Sequence, residues 1–458
     1  MDDTIAAIST PVGEGGIGIV RISGPRAIPI AREVFRTAQG KRLNVAGKRR
    51  VLYGIVMDPA TGEQVDEALV TIMPGPASYT REDVVEISCH GGLVPVRRVL
   101  EAVLHCGARL AGPGEFTRRA FLNGRIDLAQ AEAVIDIIRA RTEAAMRRAS
   151  RQLSGLLSSE VRELRRELVE LLAGIEGRLD FPEDIDELDI PASIERCRKA
   201  VARIEDILKG ARHGRVMREG AMVAIVGKTN VGKSSLLNAL LRHERAIVAD
   251  NPGTTRDTVE DMVDIRGIPV RLVDTAGLRE VDDAVERMGI QRALAAMQSA
   301  DLVLVVVDSS QQLDTQDEQV IDQVAGRPAI LVLNKIDLGC RLSEDVVGRF
   351  LRPVAAVRVS AKAGLGMEDL RDAIYRSVTG GHVEAGADPI VGNLRHVVAL
   401  EAARDSLLSA IEAFHRGLPS DIVAIDVRES VERLGEITGE TASEAVIDSI
   451  FEQFCVGK

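Results

Sequence analysis

The stretch Gly227-Lys228-Thr229-Asn230-Val231-Gly232-Lys233-Ser234 decides the fold of the middle of this chain. It fits G-x-x-x-x-G-K-[ST], follows the apolar run Met222–Val226 and opens a helical run, Ser234–Leu241, which is the context this motif requires. Its glycines let the backbone wrap close to a phosphate with N–H groups pointing inward. Lys233 supplies charge at the β- and γ-phosphates, and Ser234 can ligate Mg²⁺.

Working outward, three segments follow in the order such a site needs. Asp274-Thr275-Ala276-Gly277 ends an apolar run, so that Asp274 can reach the metal while the Gly277 amide meets the γ-phosphate. Asn334-Lys335-Ile336-Asp337 ends another. The Asp337 carboxylate can accept from N1–H and the 2-amino group of guanine, whereas adenine offers no such donor pair and leaves a polar group unsatisfied. Ser360-Ala361-Lys362 completes the base pocket, and Thr255, within Gly253-Thr254-Thr255-Arg256-Asp257, is placed to close on Mg²⁺ and γ-phosphate as a switch. The expectation is a domain that binds GTP. Met222–Val226, Val270–Asp274, Leu302–Asp308, Ala329–Asn334 and Ala355–Val359 alternate with helical runs, the pattern of a parallel sheet covered on both faces.

Many GTPases place Gln directly after the Asp-x-x-Gly to orient water. Leu278 stands there and cannot do so; Asp282, Asp283 and Glu286 are the polar candidates nearby. Arg256 and Arg279 read as structural rather than as an internal finger. Asn230 offers a neutral oxygen that could help hold a monovalent cation beside the phosphates, doing an arginine's electrostatic work.

Composition narrows the rest. The 458 residues predict two to four domains, and 45% hydrophobic with 28% charged residues is an ordinary globular balance. The longest aliphatic run, Leu302–Val307, is far short of a bilayer span, and Met1-Asp2-Asp3 does not open a secretory signal. The five cysteines, odd in number and without a CxxC pair, argue against a disulfide scaffold or zinc cluster and for a reducing cytoplasm. A net charge of −11 with 2% aromatics provides few stacking platforms for single-stranded RNA. If nucleic acid is bound, a partner or a local basic patch does much of the holding. The cluster Arg118, Arg119, Arg125, Arg139, Arg141, Arg147, Arg148 and Arg151 could meet phosphates, but reads more simply as solvated helix faces paired with Asp127, Glu132, Asp136 and Glu143.

Along the chain, residues 1–118 read as an α+β domain, with β-rich runs at Gly18–Ser23, Val51–Met57, Ala68–Met73 and Val84–Ser88 and a helix over Val94–His105. From residue 119 to 217 the periodicity turns helical. Leu128, Ala131, Ile135, Ile138, Thr142, Ala145 and Ala149 trace one helix face, and Val161, Leu164, Leu168, Leu171, Ile175 and Leu179 another. The nucleotide-binding domain is expected over 218–380, and helical periodicity returns over 381–458. The simplest arrangement is a helical bundle interrupted by the α/β domain.

The chain as a whole resembles the tRNA modification GTPase family MnmE, also called TrmE. The resemblance is carried by Gly18-Ile19-Val20-Arg21-Ile22-Ser23-Gly24, by Glu82-Asp83-Val84-Val85-Glu86 with His90-Gly91-Gly92, and by Pro113-Gly114-Glu115-Phe116-Thr117. The run Ala120–Glu132, the switch segment Gly253–Asp257, Asp274–Glu280 and the tail Cys455-Val456-Gly457-Lys458 complete it. It implies a multidomain α/β protein: an amino-terminal folate-binding and dimerisation domain, a discontinuous helical domain and an inserted Ras-like G domain. It further implies a cytoplasmic homodimer working on tRNA with the flavin-dependent partner MnmG (GidA). The pair would add an aminomethyl or carboxymethylaminomethyl group to C5 of the wobble uridine, with a 5-formyl or 5,10-methylene tetrahydrofolate derivative as one-carbon source. The alternative is a ribosome-assembly GTPase without modification chemistry, although such proteins generally finish in an RNA-binding module and this chain does not.

Carried onto matching positions, the resemblance puts GTP against Asn230–Ser235 (Val231, Gly232 and Ser235 included), Ala249-Asp250-Asn251-Pro252-Gly253-Thr254-Thr255, Asp274–Gly277, Asn334, Lys335, Asp337 and Ser360–Lys362. Ser234 and Thr255 would hold Mg²⁺; Asn230, Ala249, Asn251 and Thr254 would form a K⁺ site that stimulates hydrolysis. Lys233 would serve catalysis, and Glu286 would orient the water, which lifts it above Asp282 and Asp283. Arg21, Glu86, Arg125 and Lys458 would meet the folate. A carboxylate such as Glu86 can read a pterin's donor edge, and cations suit the glutamate tail or a formyl oxygen. Arg125 stands where the family commonly has Lys, which keeps the charge and changes the donor geometry. Cys455 is a candidate nucleophile if a neighbour favours its thiolate, but Phe451 and Phe454 beside it suggest packing.

Overall fold

The computed structural model describes residues 3–43, 49–181, 183, 187–243, 261–274, 298–324, 326–342, 355–381 and 390–458. The chain packs as two compact units, one of Met1–Ile135, Ser158–Arg162 and Gly435–Lys458, the other of Asp136–Leu157 and Glu163–Leu434.

In the first unit, strands β1 (Ile5–Ile8), β2 (Gly15–Ser23), β3 (Phe35–Thr37), β4 (Arg50–Met57), β5 (Gln64–Met73), β6 (Val84–Gly91) and β7 (Arg109–Leu110) form one sheet in the order β3-β4-β5-β6-β2-β1-β7. Successive side chains point to opposite faces, so one face collects Val20, Ile22, Val70, Ile72, Val85 and Ile87. The helices Ala27–Val34 and Leu93–His105 bury that face through Ile30, Val34, Val99 and Val103. On the other face the register sets Arg21 opposite Glu86, Glu86 opposite Thr71, and Thr71 opposite Val51, one row across β2, β6, β5 and β4.

The carboxyl end belongs to this unit. Ile450, Phe451 and Phe454 pack with Ala120, Leu128, Ala131 and Ile135, and each fully buried large side chain stabilises by roughly 1.5–3 kcal/mol. The last residues are pinned to the sheet edge: Val456 bridges Pro113, and Phe116 N–H donates to the Lys458 carbonyl at 3.2 Å. Gly457 has φ +94°, and a Cβ there would lie 2.1 Å from the Ile8 carbonyl oxygen, so only glycine fits.

The second unit holds a six-stranded sheet of β8 (Ala221–Val226), β9 (Asp261–Ile265), β10 (Ile268–Asp274), β11 (Leu302–Asp308), β12 (Ala329–Asn334) and β13 (Ala355–Arg358), in the order β13-β12-β11-β8-β10-β9. All pairings are parallel except β9 with β10, a hairpin the sequence pattern did not show. β11 reads Leu-Val-Leu-Val-Val-Val-Asp and is buried throughout, the signature of a strand covered on both faces. In the same unit the helix Leu394–His415 packs along Ile190–Leu208.

Three expectations need correction. The run from Leu128 to Ala149 is two helices, Leu128–Arg139 and Glu143–Leu153. Thr142 has extended backbone; its hydroxyl accepts from Ala145 N–H at 3.1 Å and donates to the Gly267 carbonyl at 2.8 Å, capping the second helix where the periodicity suggested continuity. Ile138 and Leu179, assigned to apolar faces, are 48% and 44% exposed. Arg119 is no solvated helix charge: it is fully buried, ion-paired with Asp3, Glu82 and Glu115 at 2.7, 3.2 and 3.1 Å. Arg148 is buried too, and burial pulls its guanidinium below the usual arginine range.

All five cysteines are free thiols. Burial pushes Cys89, Cys106 and Cys197 up to about 11, so they stay protonated and inert. Cys340 and Cys455 are exposed. Among the described residues no helix is long and apolar enough to cross a membrane.

Candidate functional site

The nucleotide motifs meet at the carboxyl ends of β8, β10, β11 and β12, where open α/β sheets bind ligands. The Gly-rich loop leaves β8 and runs into the helix Lys233–His243, so the helix amino terminus faces the loop. Two glycines are obligatory for close approach. A Cβ on Gly227 (φ +152°) would sit 2.4 Å from the Val306 carbonyl oxygen, and one on Gly232 (φ +98°) 2.4 Å from Asn334 Nδ2. Asn230 takes the left-handed conformation at φ +63°, and its exposed side-chain amide has no partner among the described residues.

Asn334 ties the loop to the base-reading segments. Its Nδ2 donates to the Val231 carbonyl at 2.9 Å, and its Oδ1 accepts from Ala361 N–H at 3.1 Å. Lys335, itself left-handed at φ +65°, donates to the Asn230 carbonyl at 2.8 Å and to Asp308 at 2.6 Å. Burial works to raise the Asp308 carboxyl, but the bonds from Lys335 and Ser310 outweigh it and hold the group below the usual range. Asp337 lies exposed in the short 3₁₀ turn Ile336–Leu338, and buried Ser360 accepts from Ala363 N–H at 3.1 Å. Lys362 is exposed beside it.

Lys233 is buried and donates to the Gly227 and Lys228 carbonyls at 2.8 and 2.7 Å, inside the curl of the loop. Burial lowers its ammonium from the usual lysine range, with Asp274 pulling the other way. Ser234 Oγ donates to Asp274 Oδ2 at 3.2 Å. A hydroxyl and a carboxylate oxygen converging in this way suit a hard, oxygen-seeking cation. Among the described residues no cluster of three or more His, Cys, Asp or Glu forms a protein-only metal site. Sequence reasoning missed Asp308, which fixes Lys335, and Asp314 with Asp317, which hold Lys228 at 2.8 and 2.7 Å. Only the sheet order brings these carboxylates to the loop. Ala249, Asp250, Asn251, Pro252, Gly253, Thr254, Thr255, Thr275, Ala276, Gly277, Asp282, Asp283 and Glu286 lie outside the described residues.

A second site lies in the first unit. Arg21 Nε donates to Glu86 Oε1 at 2.8 Å, and its Nη1 reaches the Gly457 carbonyl at 3.3 Å. The guanidinium carbon lies 5.7 and 5.6 Å from the ring centroids of Tyr79 and Phe116. Arg125 stacks on the same Tyr79 ring at 4.6 Å and donates to the Tyr79 carbonyl at 3.2 Å. Tyr79, unnoticed in the sequence, therefore links two of the folate candidates. Lys458 joins them through its backbone, and exposed Cys455 accepts from Gly114 N–H at 3.3 Å through its carbonyl. Beside this group opens a cavity of about 800 Å³, with Val51 and Thr71 from the Arg21–Glu86 row in its wall and Arg125 at its rim.

The chain is similar to known proteins along its length. Residues 128–455 match the MnmE helical domain and residues 4–125 the GTP-binding protein TrmE N-terminus. The tRNA modification GTPase MnmE of Geobacillus kaustophilus is 48% identical over 458 residues, covering 100% of this chain and 99% of its own. That of Alkaliphilus oremlandii is 46% identical over 459 residues, with full coverage of both chains. Among solved structures, the G domain of the T. maritima FeoB iron transporter aligns at 27% identity over 34% of this chain and 98% of its own, TM-score 0.26. Era in complex with MgGDPNP and a 16S ribosomal RNA segment aligns at 26% identity over 41% of this chain and 66% of its own, TM-score 0.28. Near-half identity along the whole length, with both family domains matched in sequence order, means that the chain belongs to the MnmE family of tRNA modification GTPases.

Proposed function

We propose that this protein is a K⁺-stimulated GTPase that, with a flavin-dependent partner of the MnmG type, installs an aminomethyl or carboxymethylaminomethyl group at C5 of the tRNA wobble uridine, drawing one carbon from a tetrahydrofolate derivative. The observation that carries the reading is the Asn334 tie, which holds the phosphate loop and the guanine-reading segment in one rigid geometry within a chain of this family. In it, residues 1–118 bind folate and form a homodimer, 119–217 and 381–458 make the helical domain, and 218–380 hydrolyse GTP in the cytoplasm.

Within the GTPase domain Lys233 exchanges its two loop carbonyls for phosphate oxygens, a ready-made cradle of matching charge. Ser234 and Thr255, with Asp274, would hold Mg²⁺, which would supply charge neutralisation to the phosphates. Asn230, whose exposed amide lies within the loop, would hold K⁺ together with Ala249, Asn251 and Thr254. At the second site Glu86 keeps one carboxylate oxygen for the pterin, the other being occupied by Arg21. Cys455 is kept as a candidate nucleophile because its thiol is exposed.

The decisive experiment is nucleoside mass spectrometry of tRNA from a bacterium lacking its own family member, complemented with this chain or with its Lys233→Ala variant. The wild type should restore the C5-substituted uridine and the variant should not; no restoration by the wild type refutes the reading. Replacing K⁺ by Na⁺ at constant ionic strength should slow GTP turnover by about tenfold, a modest share of what a positive charge beside the γ-phosphate contributes. Equal rates in the two salts count against the cation site.

A further inference from the structure

The cavity of the first unit carries more positive charge than a single-glutamate folate needs. Its rim holds Arg49, Arg50, Arg81 and Arg125. Each is exposed, and among the described residues none has a carboxylate partner. Three are instead oriented by backbone carbonyls: Arg49 by that of Ala77, Arg81 by that of Asn123 at 2.9 Å, and Arg125 by that of Tyr79 at 3.2 Å. A bond to a neutral carbonyl fixes a guanidinium without neutralising it, leaving its other N–H groups for a ligand. Elsewhere in this chain of net charge −11, arginines are extensively paired with acids, among them Arg21, Arg98, Arg109, Arg118, Arg119, Arg162, Arg203 and Arg218. Four exposed guanidiniums without a carboxylate partner among the described residues thus line one cavity, and an anion is their natural complement.

Apolar or aromatic side chains also line the cavity, from Val51, Met73, Pro76 and Tyr79. It is continuous with the Arg21–Glu86 pair through the row Glu86, Thr71, Val51. The cavity thus sets the Tyr79 ring and apolar side chains among cations, next to the row that holds Glu86. We infer that Arg49, Arg50 and Arg81 form a subsite for the γ-linked polyglutamate tail of the folate, so that the protein selects polyglutamylated over monoglutamylated cofactor. The inference rests on the folate reading above and assigns these three arginines a ligand; RNA phosphates are the competing source of negative charge.

The test is a titration of the full-length protein with 5-formyltetrahydrofolate bearing one or five glutamates. The pentaglutamate should bind about tenfold more tightly, as expected for a few exposed guanidinium–carboxylate pairs. An Arg49→Ala/Arg50→Ala double variant and an Arg81→Ala variant should each bring that ratio to within about twofold by removing such pairs, leaving the monoglutamate affinity unchanged. An Arg49→Lys/Arg50→Lys variant should keep most of the preference, which separates lost charge from misfolding. Equal affinity of the two forms in the wild type overturns the subsite while the folate reading stands. Failure of both forms to bind removes both. A glutamate preference that survives the alanine changes while tRNA affinity falls assigns the arginines to RNA phosphates and likewise overturns the inference.

Discussion

Asp337→Asn should cost the protein about 10²–10⁴-fold in GTP affinity and transfer its preference to xanthosine triphosphate, as expected where a site built for a hydrogen-bond pair meets the wrong partner. The exposed carboxylate in the Ile336–Leu338 turn offers two acceptors to the N1–H and 2-amino donors of guanine. The asparagine amide keeps one acceptor and presents one donor, which clashes with the guanine amino group but matches the 2-oxo group of xanthine. The turn itself should be untouched, because its backbone is set by Lys335 and by Asn334, whose bonds to Asn230, Val231 and Ala361 do not involve Asp337. Competition binding with the two nucleotides reads the outcome directly. Unchanged selectivity for GTP would mean that another group reads the base.

The second large effect is on chemistry. Glu286→Ala should lower the single-turnover rate of GTP hydrolysis by about 10²–10³-fold, the range for loss of a positioned general base or water-orienting group. Nucleotide affinity should stay near that of the wild type, because the proposed function gives the phosphates to the loop amides and Lys233. Leu278 occupies the place after Asp-x-x-Gly and has no polar side-chain atom to offer the water, and the family resemblance gives that role to Glu286. A fully active variant would take Glu286 out of the mechanism and bring Asp282 and Asp283 forward. Loss of affinity in parallel with rate would instead make the residue part of the binding site.

The two sites differ in how far the sequence exposed them. Gly227–Ser234, Asn334–Asp337 and Ser360–Lys362 were readable because each role is discharged within a few residues, where local backbone geometry fixes which side chains are possible. Gly227 and Gly232 show this in coordinates: a Cβ at either would collide with a neighbour at 2.4 Å. Resemblance alone named Arg21, Glu86 and Arg125, and nothing in the local sequence says that Arg21 and Arg125 share one aromatic ring. That Tyr79 lies between two of them depends on a loop folding back over a sheet, and the spacing of residues along the chain does not encode it.

Misreadings had physical causes of the same kind. The helical periodicity from Leu128 to Ala149 continued across a break because Thr142 fits either a helix face or a cap, and the Gly267 carbonyl that selects the cap lies 125 positions away. Arg119 looked like a surface charge because two of its three acids, Asp3 and Glu82, come from distant parts of the chain and only Glu115 lies on its own helix.

By itself, then, the sequence determined the Gly-rich loop between strand and helix, the strand and helix alternation of the nucleotide domain and the family. These follow from short-range rules of backbone conformation and apolar period. Tertiary structure alone decided that Asp308 fixes Lys335, that the Gly457 carbonyl receives Arg21, and that four arginines line one cavity without acid partners among the described residues. Strand register and long-range packing choose which distant charges meet, and a charge's partner, more than its identity, sets whether it holds the fold together or waits for a ligand.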